Sequence, residues 1–106
     1  MDTLNEITYA IQEVTGINII QNDSRKSAVV DAKKIYSLLA FQRTNEKWEN
    51  IGDHIDRSHS LMMHHKNKGL DYLENDKAFK KLYEKCIDKI ESLKDKSYHL
   101  LHLVLH

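Results

Sequence analysis

Three groups of residues have side chains whose type and spacing could do chemistry. Arg57, Ser58, His59 and Ser60 stand in a row. One guanidinium, two hydroxyls and an imidazole at the start of a helix can grip phosphates and reach base edges. His99, His102 and His106 are spaced i, i+3 and i+7, one face of a helix, and imidazole is a common zinc ligand. No carboxylate or thiol joins them at ligand spacing, so no metal is expected. His64 and His65 are adjacent, which turns their rings to different faces. Cys86 is the single cysteine, so an internal disulfide and a cysteine-cluster zinc site are excluded. An enzyme needs a nucleophile with a base, or a paired acid and base, held in a cleft. His59 with Ser60, or Cys86 with any histidine, has no third group to complete it, and no catalysis is expected. Three glycines leave no phosphate-cradling loop, and no cofactor is expected.

The charges are segregated along the chain. Residues 1–23 hold Asp2, Glu6, Glu13 and Asp23 and no lysine or arginine. Residues 24–68 hold nine basic residues against five acidic ones, and residues 69–106 hold seven of each sign. The formal charge is zero, yet a basic middle can present a locally positive face, because surface potential follows nearby charges.

The elements that must position these residues follow from periodicity. Leu4, Ile7, Ile11 and Val14 predict an amphipathic helix over 3–15, closed by Gly16. Ile17-Asn18-Ile19-Ile20 reads as a packed connector, and Asn22-Asp23-Ser24 supplies turn and N-cap chemistry. Ala32, Ile35, Leu38 and Leu39 form the stripe of a second helix that ends near Thr44-Asn45. Trp48, Ile51 and Ile55 predict a helix of about two turns containing Gly52, with Trp48 in the core rather than a stacking platform. Asp56 is the expected N-cap of a further helix beginning near Arg57. Short helix, tight turn and polar-started helix outline a helix-turn-helix. After Gly69 the apolar pattern predicts a long helix over 77–96, followed by an apolar tail at 97–106.

A chain of 106 residues without proline is expected to be a single all-α domain, a helical bundle containing the helix-turn-helix. No run approaches the roughly 18 apolar residues of a membrane span, and the acidic start is unlike a signal peptide. A cytoplasmic protein with no membrane partner is expected.

The segments Arg25-Lys26-Ser27, Lys33-Lys34-Ile35, Leu39-Ala40, Thr44-Asn45, Asn50-Ile51-Gly52 and Arg57-Ser58-His59-Ser60, with His64 and Lys68 beyond, form an ordered set. In order and spacing they resemble the C-terminal DNA-binding domain of the bacterial replication initiator DnaA. That family shows a basic loop, a long helix ending in Thr-Asn, a Glu-Ile-Gly and an Arg-Asp-His-Thr-Thr signature. The resemblance runs from about Leu4 to Ile90. It implies that Arg25 enters a minor groove, that Lys33 lies close to DNA, and that His59 and Ser60 read bases in the major groove. Arg57 matches the first residue of the signature.

This sequence departs from the family at several positions. Ser58 replaces the signature aspartate, and Leu61 the second threonine. Ser27 and Asp31 stand where the family has arginines, Glu49 where it has a proline, and Asp56 alone where it has Gly-Gly. The cation losses imply weaker binding with a flatter salt dependence, and the signature changes imply altered base preference. The family's ATPase module has no counterpart here, so a stand-alone transcription or replication regulator is expected.

The expected interface is Arg25, Lys26, Lys33, Arg57, Ser58, His59, Ser60, Lys66 and Lys68, on double-stranded DNA. The alternative is a protein-protein interaction module that has lost DNA affinity. Asp31 discriminates: a carboxylate at the centre of the face favours the alternative, whereas pairing with Lys34 preserves the DNA reading. The long helix and apolar tail are expected to complete the monomer's core or to form a homodimer interface.

Overall fold

The computed structural model describes residues 2–105, with side chains described for residues 2–95. Five helices follow one another among these residues: α1 (Leu4–Thr15), α2 (Ser27–Arg43), α3 (Trp48–His54), α4 (His59–Asn75) and α5 (Lys77–Leu105). None of the described residues forms a strand, and the architecture is an all-α bundle.

α1 is where periodicity predicts it, and its ends show why. Thr3 and Glu6 form a capping box: Glu6 N–H donates to Thr3 Oγ1 at 3.1 Å and Thr3 N–H to Glu6 Oε1 at 2.9 Å. Gly16 stops the helix with φ 75°, a left-handed turn that costs glycine nothing. Ile7, Ala10 and Ile11 bury one face of α1 against α2 and α5.

α2 is the central helix, packed between α1 and α4. Every residue from Ala32 to Ala40 is buried, Lys33, Lys34 and Ser37 included. A helix enclosed on all sides has no polar stripe, so the expected stripe of Ala32, Ile35, Leu38 and Leu39 is part of a full circumference. The connector before it places Ile19 in the core, and Gln21 N–H donates to Ile55 O at 3.2 Å. Asn22 and Ser24 build the expected turn, their side chains accepting from Ser24 N–H and Lys26 N–H. Neither caps α2, however; Lys26 occupies that position without a side-chain bond.

α4 corrects two expected boundaries. It starts at His59 behind a Ser58 cap rather than near Arg57 behind Asp56, and it runs on through Gly69 to Asn75. Gly69 sits inside the helix because a Cβ there would meet Leu38 Cδ1 at 2.7 Å, so α2 and α4 cross with their backbones close. Asp76 then starts α5, its Oδ1 accepting from Phe79 N–H at 3.0 Å. Phe79, Cys86 and Ile90 enter the core from α5, with Leu82, Tyr83 and Ile87 packed around them.

The backbone of α5 continues to Leu105 instead of stopping near 96. Its 29 residues span about 44 Å, most of the molecule's 48 Å longest dimension. Asp2 fastens the other end of the chain to this frame, buried between the cations of Arg43 and Lys94. The side chains of the 97–106 tail, with His99, His102 and His106, lie outside the described residues, as does the choice between core and homodimer interface. No helix among the described residues is long and apolar enough to cross a membrane.

Candidate nucleic-acid interface

The turn between α3 and α4 is built by close backbone approach. Arg57 N–H donates to Gly52 O at 2.9 Å, and a Cβ on Gly52 would fall 2.3 Å from Arg57 O. Only glycine fits that contact. Asp56 adopts φ 59°, the left-handed conformation that short polar side chains tolerate better than most. Asp56 therefore makes the turn, and Ser58 caps the helix by accepting from Leu61 N–H at 3.2 Å. From behind, Tyr36 of α2 donates its buried hydroxyl to Ile51 O at 2.6 Å, which fixes α3 on the central helix. Burial raises the Tyr36 pKa well above the usual phenol value, so the donor keeps its proton.

On this support His59 and Ser60 are exposed at the first turn of α4, as the sequence predicts. The exposed face continues through Met63, His64 and Asn67, which sequence reasoning left out of the interface. Counting i+3, i+4 and i+7 from Ser60 selects those three residues, so the signal was present. No acidic residue occurs from 57 to 68, whereas Asp71 and Glu74 are exposed farther along the helix. The carboxylate-free stretch of α4 is thereby confined to its first turns, and carboxylates repel phosphate beyond them.

Lys66 and Lys68 do not act together. Two residues apart on a helix, they diverge by about 200°. The Lys66 ammonium lies 4.7 Å from the centre of the Phe41 ring, a cation–π contact, while Lys68 is exposed. Phe41 is 52% exposed and stacks on half-buried Trp48 at 5.7 Å, so Trp48 closes the core while its partner faces solvent.

Arg25 and Lys26 are exposed in the loop before α2, as expected. Lys33, which the resemblance puts close to DNA, does not stand on the exposed face. It is 5% exposed and donates to Asn22 O, so it braces the loop from inside. Burial, and then the nearby Arg57, lower its pKa, with Asp23 partly opposing them. Arg57 is also held internally: its guanidinium pairs with Asp23 and donates to Asp56 O at 2.5 Å. Ser58 Oγ accepts the capping bond from Leu61 N–H. Lys33, Arg57 and Ser58 are thus first of all parts of the scaffold, and Lys66 belongs to the Phe41 contact.

Asp31 pairs with Lys34 at 3.5 Å, and the Lys34 ammonium also sits 3.9 Å from the Tyr72 ring centre. That carboxylate is neutralised within α2, and Ser27 is exposed at the first turn. Behind the face, His65 is 7% exposed; burial, with His64, Lys33 and Lys34 as lesser causes, lowers its pKa to about 4. His65 Nδ1 has no hydrogen-bond partner. Among the described residues no three histidine, cysteine, aspartate or glutamate side chains are grouped to hold a metal ion.

No protein-family model, curated protein or solved structure matches the chain.

Proposed function

We propose that the chain binds double-stranded DNA as a DnaA-like helix-turn-helix module, with the start of α4 in the major groove. The observation that carries this is the exposed, carboxylate-free face of His59, Ser60, Met63, His64 and Asn67 above the glycine-pinned turn. Imidazole, hydroxyl and amide groups suit base edges, and Met63 offers an apolar contact of the kind a thymine methyl accepts. Arg25 and Lys26 flank the face from the loop, and Lys68 from α4. The Asp31–Lys34 pair supports the reading, since it removes the carboxylate that argues most against it. Such a module suits a transcription or replication regulator.

A second reading, a protein-docking module, draws on Lys33, Arg57 and Lys66 being engaged internally and on exposed Phe41 beside Trp48.

Fluorescence anisotropy on labelled duplexes decides between them, using a DnaA-type box, a scrambled box and a random pool at several salt concentrations. With Arg25, Lys26 and Lys68 as the free cations, log–log salt slopes of roughly −2 to −4 are expected. His59→Ala with Ser60→Ala is expected to cost roughly 1–3 kcal/mol of preference per lost base contact. No binding at low salt overturns the DNA reading and leaves the docking module.

A further inference from the structure

Between the 23–25 loop, the first turns of α2 and the start of α4 lies a cleft of about 460 Å³, lined by Asp23, Arg25, Lys33, Arg57, Leu61 and His65 among others. That volume falls within the range of about 300–1,000 Å³ usual for small-ligand pockets. Lys33 reaches it from below. An ammonium has three donors, yet the hydrogen bond Lys33 makes is to Asn22 O, and no carboxylate among the described residues lies within ion-pair distance. A buried cation without a counter-ion is costly.

His65 adds a second unsatisfied group, a buried Nδ1 with no partner. As the Nδ1–H tautomer it donates. Arg57 stands at the rim, its charge met by Asp23, whose side chain is 92% exposed and so is held by little besides that pair. Arg25 is exposed beside them and pairs with no other side chain among the described residues. The neighbouring cleft, about 360 Å³, contrasts with this one: it carries Asp31 and Asp76, and its Lys34 is already paired.

We propose that the first cleft is a phosphoryl-binding site, in which Lys33, Arg57 and Arg25 supply the charge, His65 donates from the wall, and Asp23 is the internal carboxylate that the ligand displaces from Arg57. The ligand is a phosphoryl group, carried by a DNA backbone or by a free phosphate or phosphomonoester. The site does not depend on the duplex reading.

The test is a titration of the isotope-labelled full chain with inorganic phosphate near neutral pH, ionic strength held constant with chloride. The His65 imidazole and Arg57 signals are expected to move together along one saturating curve. Lys33→Met is expected to weaken binding at least about tenfold. Asp23→Asn, at a side chain that is 92% exposed, is expected to strengthen it by up to about fivefold, the worth of an exposed ion pair. Shifts that stay linear, or that both variants leave unchanged, overturn the site.

A duplex arm separates the sources. Saturation by phosphate that duplex competes away identifies the backbone. Saturation with no duplex binding upholds the site for a free phosphoryl ligand and overturns the DNA reading. Duplex binding without saturation by phosphate overturns the site and leaves the DNA reading standing.

Discussion

At the scale of single residues, Lys33 and His65 show how far a side chain's role departs from its type. Both are polar, and both are buried where α2 packs against α4. His65 has a measurable consequence. Its folded pKa, near 4, lies below the ordinary value of 6.5, so the unfolded chain binds more protons between those limits. The stabilisation is complete above about pH 6.5 and drains away as pH falls towards 4. His54, whose pKa burial also lowers, acts in the same direction. Urea denaturation at pH 7 and pH 5 is expected to show a loss on the order of 1–3 kcal/mol, much of it absent in His65→Gln. An equal loss in that variant would assign the effect elsewhere. Cys86, its thiol pushed up to about 11 by burial, is inert by the same logic.

At the scale of elements, the α3–α4 pair owes its geometry to two contacts. One is the approach of Gly52 to Arg57 O, the other the Tyr36 hydroxyl on Ile51 O. Gly52→Ala places a methyl group 2.3 Å from backbone oxygen, which cannot move without the turn. A cost of about 1–3 kcal/mol or more is expected, with duplex affinity lost alongside stability. Tyr36→Phe leaves Ile51 O buried without its donor, and about 1–3 kcal/mol is expected. Thermal melts of the two variants check both, and near-wild-type melting would show that the turn has slack. The existence of α1, α3 and α5 was legible because each carries a one-sided apolar pattern. The cap of α4 was not. Asp56 and Ser58 are both good capping types, and only the left-handed backbone at Asp56 excludes it from that role.

At the scale of the whole molecule, the acidic start and the basic middle meet in space. Asp2 lies between Arg43 at the end of α2 and Lys94 on α5, and Arg43 also pairs with Glu91. Burial alone would raise the Asp2 pKa, but hydrogen bonds from Lys94 and Arg43 outweigh it and hold the carboxyl below its usual range. That depression stabilises the fold above the ordinary carboxylate pKa, and the contribution is lost as pH falls through the lowered value. Asp2→Asn is expected to cost about 1–3 kcal/mol at neutral pH and to flatten the acid limb of the stability curve. An unchanged acid limb would show that Asp2 does not tie the start of the chain to α2 and α5.

Composition and period alone determined the helical class, the first and last helix starts, and an exposed polar opening to α4. These are local matters: hydrogen bonds within a helix and the alternation of apolar side chains are written into neighbouring residues. Arg25, Lys26, Lys33, Arg57, Lys66 and Lys68, read by type, all looked like solvent-facing candidates for one interface. Only the tertiary structure separated Arg25, Lys26 and Lys68, which face solvent, from Lys33, Arg57 and Lys66, which partner other groups. The physical reason is that burial is decided by what packs against a residue from elsewhere in the chain. For α2 that is a helix on either side, and no window of sequence around Lys33 contains either of them.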